Sequence, residues 1–249
     1  MSEAAAWTLE RMDRTAVLTF TRAPHNLLSF VLLEELDAVL LELSADARVT
    51  VVVLTGGVPG YFVGHADLGD VERLVSDAPG PGSPDDWTTT LGRLSSMPQP
   101  VVAAVNGQAW GGGCELALAA QLRVAASSAS FAFVEVAAGA IPGAGGTQRL
   151  PRLIGPSAAA RMVLSGDLVT AARAQALGLG RRRAARRRLP CCDPGLGRTH
   201  RRTPPSRGHH RQARTRRRTE YGAGQRPRLR TAAVPRTAAI TRDASALPG

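Results

Sequence analysis

Two spacings of apolar residues run through the first 180 residues. Thr15-Ala-Val-Leu-Thr-Phe-Thr21 alternates with period two and predicts a strand. Phe30–Leu43 repeats its apolar residues at helical spacing, with Glu34, Glu35 and Glu42 on the wet side and Ser29 placed as N-cap. Val49–Thr55 and Val101–Val105 are continuous, mostly β-branched runs, the pattern of strands buried on both faces. Leu122–Ala126 predicts a further strand. Helices are expected around Val71–Leu74, Trp87–Leu94, Gly111–Ala120, Gly145–Leu150, Ser157–Leu164 and Thr170–Leu177. His25-Asn26 reads as a turn, and residues 78–86 as a Pro/Gly surface loop. Alternating strands and helices predict a layered α/β domain over residues 1–180.

At about Gly180 this pattern stops. Of the 69 residues from Arg181 to Gly249, 43 are Arg, Ala, Pro or Gly, and only six are Leu, Ile or Val. Burial of so few apolar side chains cannot offset the conformational entropy of folding, so a second region, 181–249, is expected to be a disordered tail. The net charge of +11 therefore describes neither part: residues 1–180 carry 11 Arg against 17 acidic residues, and residues 181–249 carry 20 Arg against 3. The chain has no lysine, and Arg, Ala, Pro and Gly share GC-rich codons. An out-of-frame or rearranged terminus is favoured over a genuine basic tail or a folded element. Cys114, Cys191 and Cys192 make neither a disulfide framework nor a zinc spacing. Val101–Ala120, broken by Asn106, Gln108, Glu115 and four glycines, is a poor membrane span. The acidic N-terminus has no secretory apolar core, so a cytoplasmic protein without membrane contact is expected.

The candidate chemistry lies in Ala104–Ala119. Gly111-Gly112-Gly113 at a loop-to-helix junction lets another group approach the main chain, and helix-initial N–H groups suit a developing oxyanion. Gly-rich turns are usually structural, so the neighbouring acids matter. Glu115 falls in the first helical turn amid Gly, Cys, Leu and Ala, and Glu135 sits in Phe131-Ala-Phe-Val-Glu-Val136. Buried acids without cationic neighbours are costly unless they act, and the helix and strand between them can return one beside the other as an acid/base pair.

Residues 10–180 resemble the enoyl-CoA hydratase/isomerase (crotonase) superfamily. Three segments carry the resemblance: Phe62-Val-Gly-His-Ala-Asp-Leu68, Pro100 through Ala117, and Phe131–Gly139 continuing into Ile141–Gly155. The resemblance implies a spiral of ββα units that binds an acyl-CoA thioester. The N–H groups of Ala66 and Gly112 would form an oxyanion hole, with Ala66, Asp67, Leu68, Gly69, Gly112 and Glu135 meeting the substrate. Glu115 and Glu135 match the family's hydratase glutamates, implying addition of water across a trans-2-enoyl-CoA double bond, as in fatty-acid β-oxidation. No metal or redox cofactor is implied, CoA being part of the substrate. An isomerase, another acyl-CoA enzyme or an inactive member is the alternative. The chain departs from the family pattern at His65, Gly69, Gln121, Ala132 and Val134. The family's C-terminal helical layer has no counterpart in residues 181–249, so the expected homo-oligomer, a trimer or hexamer, would be impaired. A reading of another class has the basic tail binding nucleic acid in a salt-sensitive way; it ranks below the enzyme, and nucleic acid is not an expected partner.

Overall fold

The computed structural model describes residues 6–76 and 78–183. Nearly all of the Arg-rich region, with Cys191, Cys192 and the expectation of disorder, lies outside the described residues. The chain opens with an antiparallel pair, β1 (Trp7–Met12) and β2 (Thr15–Phe20), then α1 (Phe30–Ala45). Three units of long strand, short strand and helical segment follow. The first is β3 (Val51–Gly56), β4 (Tyr61–Val63) and α2 (Leu68–Ser76). After α3 (Pro84–Ser96) come β5 (Val101–Val105), β6 (Gln108–Trp110) and α4 (Gly112–Ala119). The third is β7 (Leu122–Ala126), β8 (Ser130–Ala132) and a 3-10 turn (Val134–Ala138). Then come α5 (Gly146–Ile154), α6 (Pro156–Ser165), β9 (Val169–Thr170), α7 (Ala171–Leu177) and β10 (Arg181–Arg183).

The long strands make one sheet in the order β1-β2-β3-β5-β7-β10, parallel from β2 onward. The short strands make a second, β4-β6-β8-β9, parallel except for β9. This is the expected spiral of ββα units. Side-chain alternation explains the composition of the long strands. Ala16, Leu18, Phe20, Val52, Leu54, Val101, Ala103 and Val105 join the main core, while Val17, Val53, Val102 and Ala104 form a second buried cluster between them in sequence.

On α1, Leu33, Leu36, Leu40 and Leu43 make a fully buried stripe at helical spacing, each contributing about 2 kcal/mol of apolar burial. Ser29 caps that helix through the Leu32 amide at 3.4 Å, as expected. α3 starts earlier than its apolar pattern suggests, because Ser83 and Asp86 form a reciprocal capping box around Pro84. Thr90 and Arg93 tie α3 to α1 through the Leu33 carbonyl and Asp37. Gln121, on the stretch leading into β7, binds the Val101 amide at 2.8 Å and the Ser95 carbonyl at 2.9 Å, a structural link between elements.

The apolar pattern stops at about Gly180, and a short strand follows it directly. Arg181–Arg183 pair in parallel with Val124–Ala126. Sheet pairing at an edge uses main-chain groups, so a strand can form there with no apolar period. The His25-Asn26 turn also does more than reverse the chain. Asn26 is fully buried in left-handed conformation, φ 55°. Its side chain donates to the Phe20 and Phe62 carbonyls, at 3.0 and 2.6 Å, fastening the end of β2 to β4.

Candidate active site

Because β4, β6 and β8 lie side by side in the same direction, the segments that leave them emerge at one edge of the second sheet. Ala66 follows β4, Gly112 follows β6 and Glu135 follows β8. The Trp110 amide donates to Gly64 at 3.1 Å and the Gly111 amide to Ala132 at 2.9 Å, holding the three departures together.

The loop after Asn26 aims the first donor. The Leu28 N–H donates to the His65 carbonyl at 3.0 Å, and the Asp67 N–H donates to Leu28 O at 2.9 Å. In a trans peptide the C=O and N–H point oppositely, so the Ala66 N–H points away from Leu28. The second donor follows from helix geometry. The Glu115 N–H bonds the Gly111 carbonyl at 3.0 Å, which leaves the Gly112 N–H directed out of the α4 N-terminus. Among the described residues neither N–H has an acceptor. A methyl group on Gly112 would stand 2.3 Å from the Trp87 indole, and one on Gly113 would stand 2.0 Å from Val63 O. Gly111 turns the chain at φ 49°. A methyl there would approach Glu135 Oε1 to 3.2 Å and His65 Cβ to 3.7 Å, so both donor loops and Glu135 border the same space.

Glu115 is 3% exposed. Its Oε1 accepts the Ala144 and Gly146 amides at 2.8 and 2.7 Å, and no described residue bonds Oε2. Burial raises its pKa to about 7; the Gly146 and Ala144 amides and Arg149 oppose the rise, and the charge of Glu135 adds to it. Glu135 is half-buried and its pKa is also raised by burial. Its Oε2 is shut off from solvent without a hydrogen-bond partner. Burial likewise pushes up the thiol of Cys114, beside Glu115 on α4.

The structure thus brings Ala66, Gly112, Glu115 and Glu135 together. Asp67 instead supports the loop, accepting from Arg22 at 2.7 Å and from the Gly69 amide at 2.9 Å. Burial raises the Asp67 pKa, but these bonds outweigh it and hold the carboxyl below its usual value. Leu68 and Gly69 are exposed on the first turn of α2. Glu135 sits on the 3-10 turn Val134–Ala138. Trp110 is half-buried, with its indole N–H on Ser130 Oγ at 3.0 Å. Sequence reasoning assigned no role to the Ala144–Gly146 amides, to Arg149 behind them or to Trp87 over Gly112. The glycine-rich run Pro142–Gly146 before α5 was the one signal for them, since such loops expose successive N–H groups. Nothing in the sequence marks Trp87.

Residues 10–189 match the model of the enoyl-CoA hydratase/isomerase family, and the chain belongs to that family. It is 40% identical over 173 residues to 2,3-dehydroadipyl-CoA hydratase of Escherichia coli, an alignment covering 69% of this chain and 66% of that protein. It is also 40% identical over 173 residues to mouse mitochondrial methylglutaconyl-CoA hydratase, covering 69% and 55%. The chain spans between about half and two thirds of the length of such relatives. The crystal structure of an enoyl-CoA hydratase from Bacillus anthracis superposes with a TM-score of 0.67 at 36% identity, covering 72% of this chain and 70% of that one. Among the described residues no helix is long and apolar enough to cross a membrane, and no cluster of three His, Cys, Asp or Glu side chains can hold a metal ion.

Proposed function

We propose that this chain is an enoyl-CoA hydratase acting on a trans-2-enoyl-CoA thioester. The observation that carries the reading is the meeting of Glu115 and Glu135, whose Oε1 borders the loop that leads to Gly112 and the space beside His65, with the outward N–H groups of Ala66 and Gly112 on those same two loops. The two N–H groups receive the thioester oxygen and stabilise the negative charge that grows on it, a contribution of about 3 kcal/mol per donor. Their carbonyl ends are already hydrogen-bonded, so the donors need little reorganisation during the reaction.

Glu115, with Oε1 fixed, offers Oε2 to a water and takes one of its protons as the oxygen bonds to C3. The double-bond electrons move toward the thioester as an enolate, and Glu135 gives a proton to C2. The net change is the syn addition of one water; a second water returns the proton from Glu115 to Glu135. This division of labour requires Glu115 ionised and Glu135 protonated, so rate should rise with pH through about 7 and fall again at higher pH. No metal or redox group takes part in this scheme.

The test is hydration of crotonyl-CoA, followed by loss of its conjugated absorbance. Turnover in the parent chain, reduced most by Glu135→Gln and strongly by Glu115→Gln, supports the reading; undiminished turnover in both variants overturns it. The proposal extends to a cytoplasmic homo-oligomer, a trimer or hexamer weakened in this chain. Light scattering after size exclusion checks that state: a stable trimer refutes the weakening.

A further inference from the structure

Behind the carboxylate of Glu115 stands a cation that the hydration scheme does not use. Arg149, on the first turns of α5, reaches back across Gly145 and donates from Nη1 to the carbonyl of Ala144 at 2.6 Å. The guanidinium lies so close over Gly145 that a methyl group there would meet Nη1 at 2.4 Å; Gly145 itself turns at φ 96°. The Arg149 amide donates to Gly145 O at 2.8 Å, so both the main chain and the side chain of this residue grip the loop. That loop supplies the two amides that hold Glu115 Oε1. The charged groups acting on Glu115 are Glu135 from the 3-10 turn and Arg149 from α5, with the Cys114 thiol beside it on α4. From α3, β4 and β6, also packed on α4, no ionisable group among the described residues acts on it.

We propose that Arg149 is a positioning residue of the hydration site: it clamps the Ala144 carbonyl so that the Ala144 and Gly146 amides stay on Glu115 Oε1, and it supplies the positive charge facing that carboxylate. The proposal rests on the hydratase reading for its effect on rate, but its effect on Glu115 exists without turnover. The physical argument is that a planar guanidinium donates along directions fixed by its plane, whereas a lysine ammonium keeps the charge and can donate but on a flexible stem without a fixed direction. Without Arg149, Glu115 keeps its burial and its repulsion by Glu135 and loses the one cation that favours its ionised form.

The experiment compares Arg149→Met, Arg149→Gln and Arg149→Lys with the unmodified full-length chain. The first readout is the isotope-edited infrared band of protonated Glu115, assigned by its loss in Glu115→Gln. The second is the pH profile of crotonyl-CoA hydration. In Arg149→Met the Glu115 titration and the acid limb of kcat should both move up by about 1 pH unit. At pH 7 kcat should fall roughly 10-fold with KM changed less than about 3-fold. Arg149→Lys should restore the titration but only part of kcat. Arg149→Gln, which keeps a hydrogen-bond donor, replaces Arg149→Met if that variant does not fold. An unmoved titration in the charge-removing variant overturns the inference, whatever the rate. Absence of turnover in the parent chain with a shifted titration would leave the inference standing and remove the hydratase reading.

Discussion

Glu115 occupies the first turn of an eight-residue helix in which every residue is buried, with one oxygen fixed by two amides and a cation behind them. Glu135 occupies a 3-10 turn in which no residue is fully buried, and one of its oxygens has no partner at all. Both acids are pushed toward the neutral form by burial; Glu115 has two loop amides and Arg149 opposing that push, whereas Glu135 has only its own backbone N–H. A buried acceptor without a partner costs stability that a better-satisfied neighbour does not. The other oxygen of Glu135, Oε1, borders the space next to Gly111 and His65. In the proposed hydration, this contrast suits Glu115 on α4 to the base and Glu135 in the turn after β8 to the proton carrier.

The strongest way to break that contrast is to remove each acid without changing its size. Glu135→Gln should lower kcat for crotonyl-CoA hydration by about 10³-fold, since no other group is placed to protonate C2. Glu115→Gln should lose about 10²-fold, because the amide oxygen can still take the Ala144 and Gly146 bonds and hold water without accepting its proton. Steady-state kinetics at pH 7 measures both; equal losses would erase the distinction, and no loss would remove the site.

The pH dependence of stability comes next in size. Glu115 titrates near its ordinary 4.5 when unfolded and at about 7 when folded. A carboxyl whose folded pKa is raised contributes stability that is full below the unfolded value and is lost as pH rises through the folded one. The window is therefore pH 4.5 to about 7, and the loss is roughly 3 kcal/mol. Denaturant unfolding at pH 5 and pH 8 should show the parent chain weaker at pH 8, with Glu115→Gln flattening most of the slope. A slope unchanged by that substitution would contradict the assignment.

The packing around the two acids differs as much as their bonding. Gly113→Ala drives a methyl against the Val63 carbonyl, a main-chain atom that cannot rotate away, and should cost about 2 kcal/mol or more. Gly139→Ala, just past the Glu135 turn, meets nothing within 4 Å and pays only for its φ of 68°, about 1 kcal/mol. Thermal unfolding should rank the pair in that order.

These sites show what sequence pattern could and could not convey. α1 and the long strands β2, β3, β5 and β7 were readable because each carries enough apolar positions to display a period. The strands β4, β6 and β8 have three residues apiece, too few for any period, and their place is set by the neighbours they pair with. Yet they gather the site. Glu115 and Glu135 stood out because acids among Gly, Ala, Leu and Phe are chemically out of place. Arg149 did not, since an arginine on a short helix resembles any solvated charge until its Nη1 is seen on the Ala144 carbonyl. The converse holds just past Gly180: β10 is held by main-chain pairing, to which composition is blind.

The smallest expected effect probes the looser side alone. The Trp110 indole N–H on Ser130 Oγ is a side-chain tie from β6 to the start of β8, one strand before Glu135, and it spans positions two apart in the ladder that pairs Gln108 with Ser130 and Trp110 with Ala132. Trp110→Phe keeps an aromatic ring against the same neighbours and deletes that bond, so stability should fall by about 1 kcal/mol. The loosened strand leads into Glu135 and has no bond to the Ala144–Gly146 loop. Hydration should therefore drop by about 3-fold through the C2 protonation step, while the Glu115 titration stays where it was. A solvent isotope effect that grows in Trp110→Phe but not in Arg149→Met would place the two perturbations on separate acids. A Glu115 titration that moves in both would mean that β8 and the α4 clamp form one unit, and that the separation of the two carboxylates is not physical.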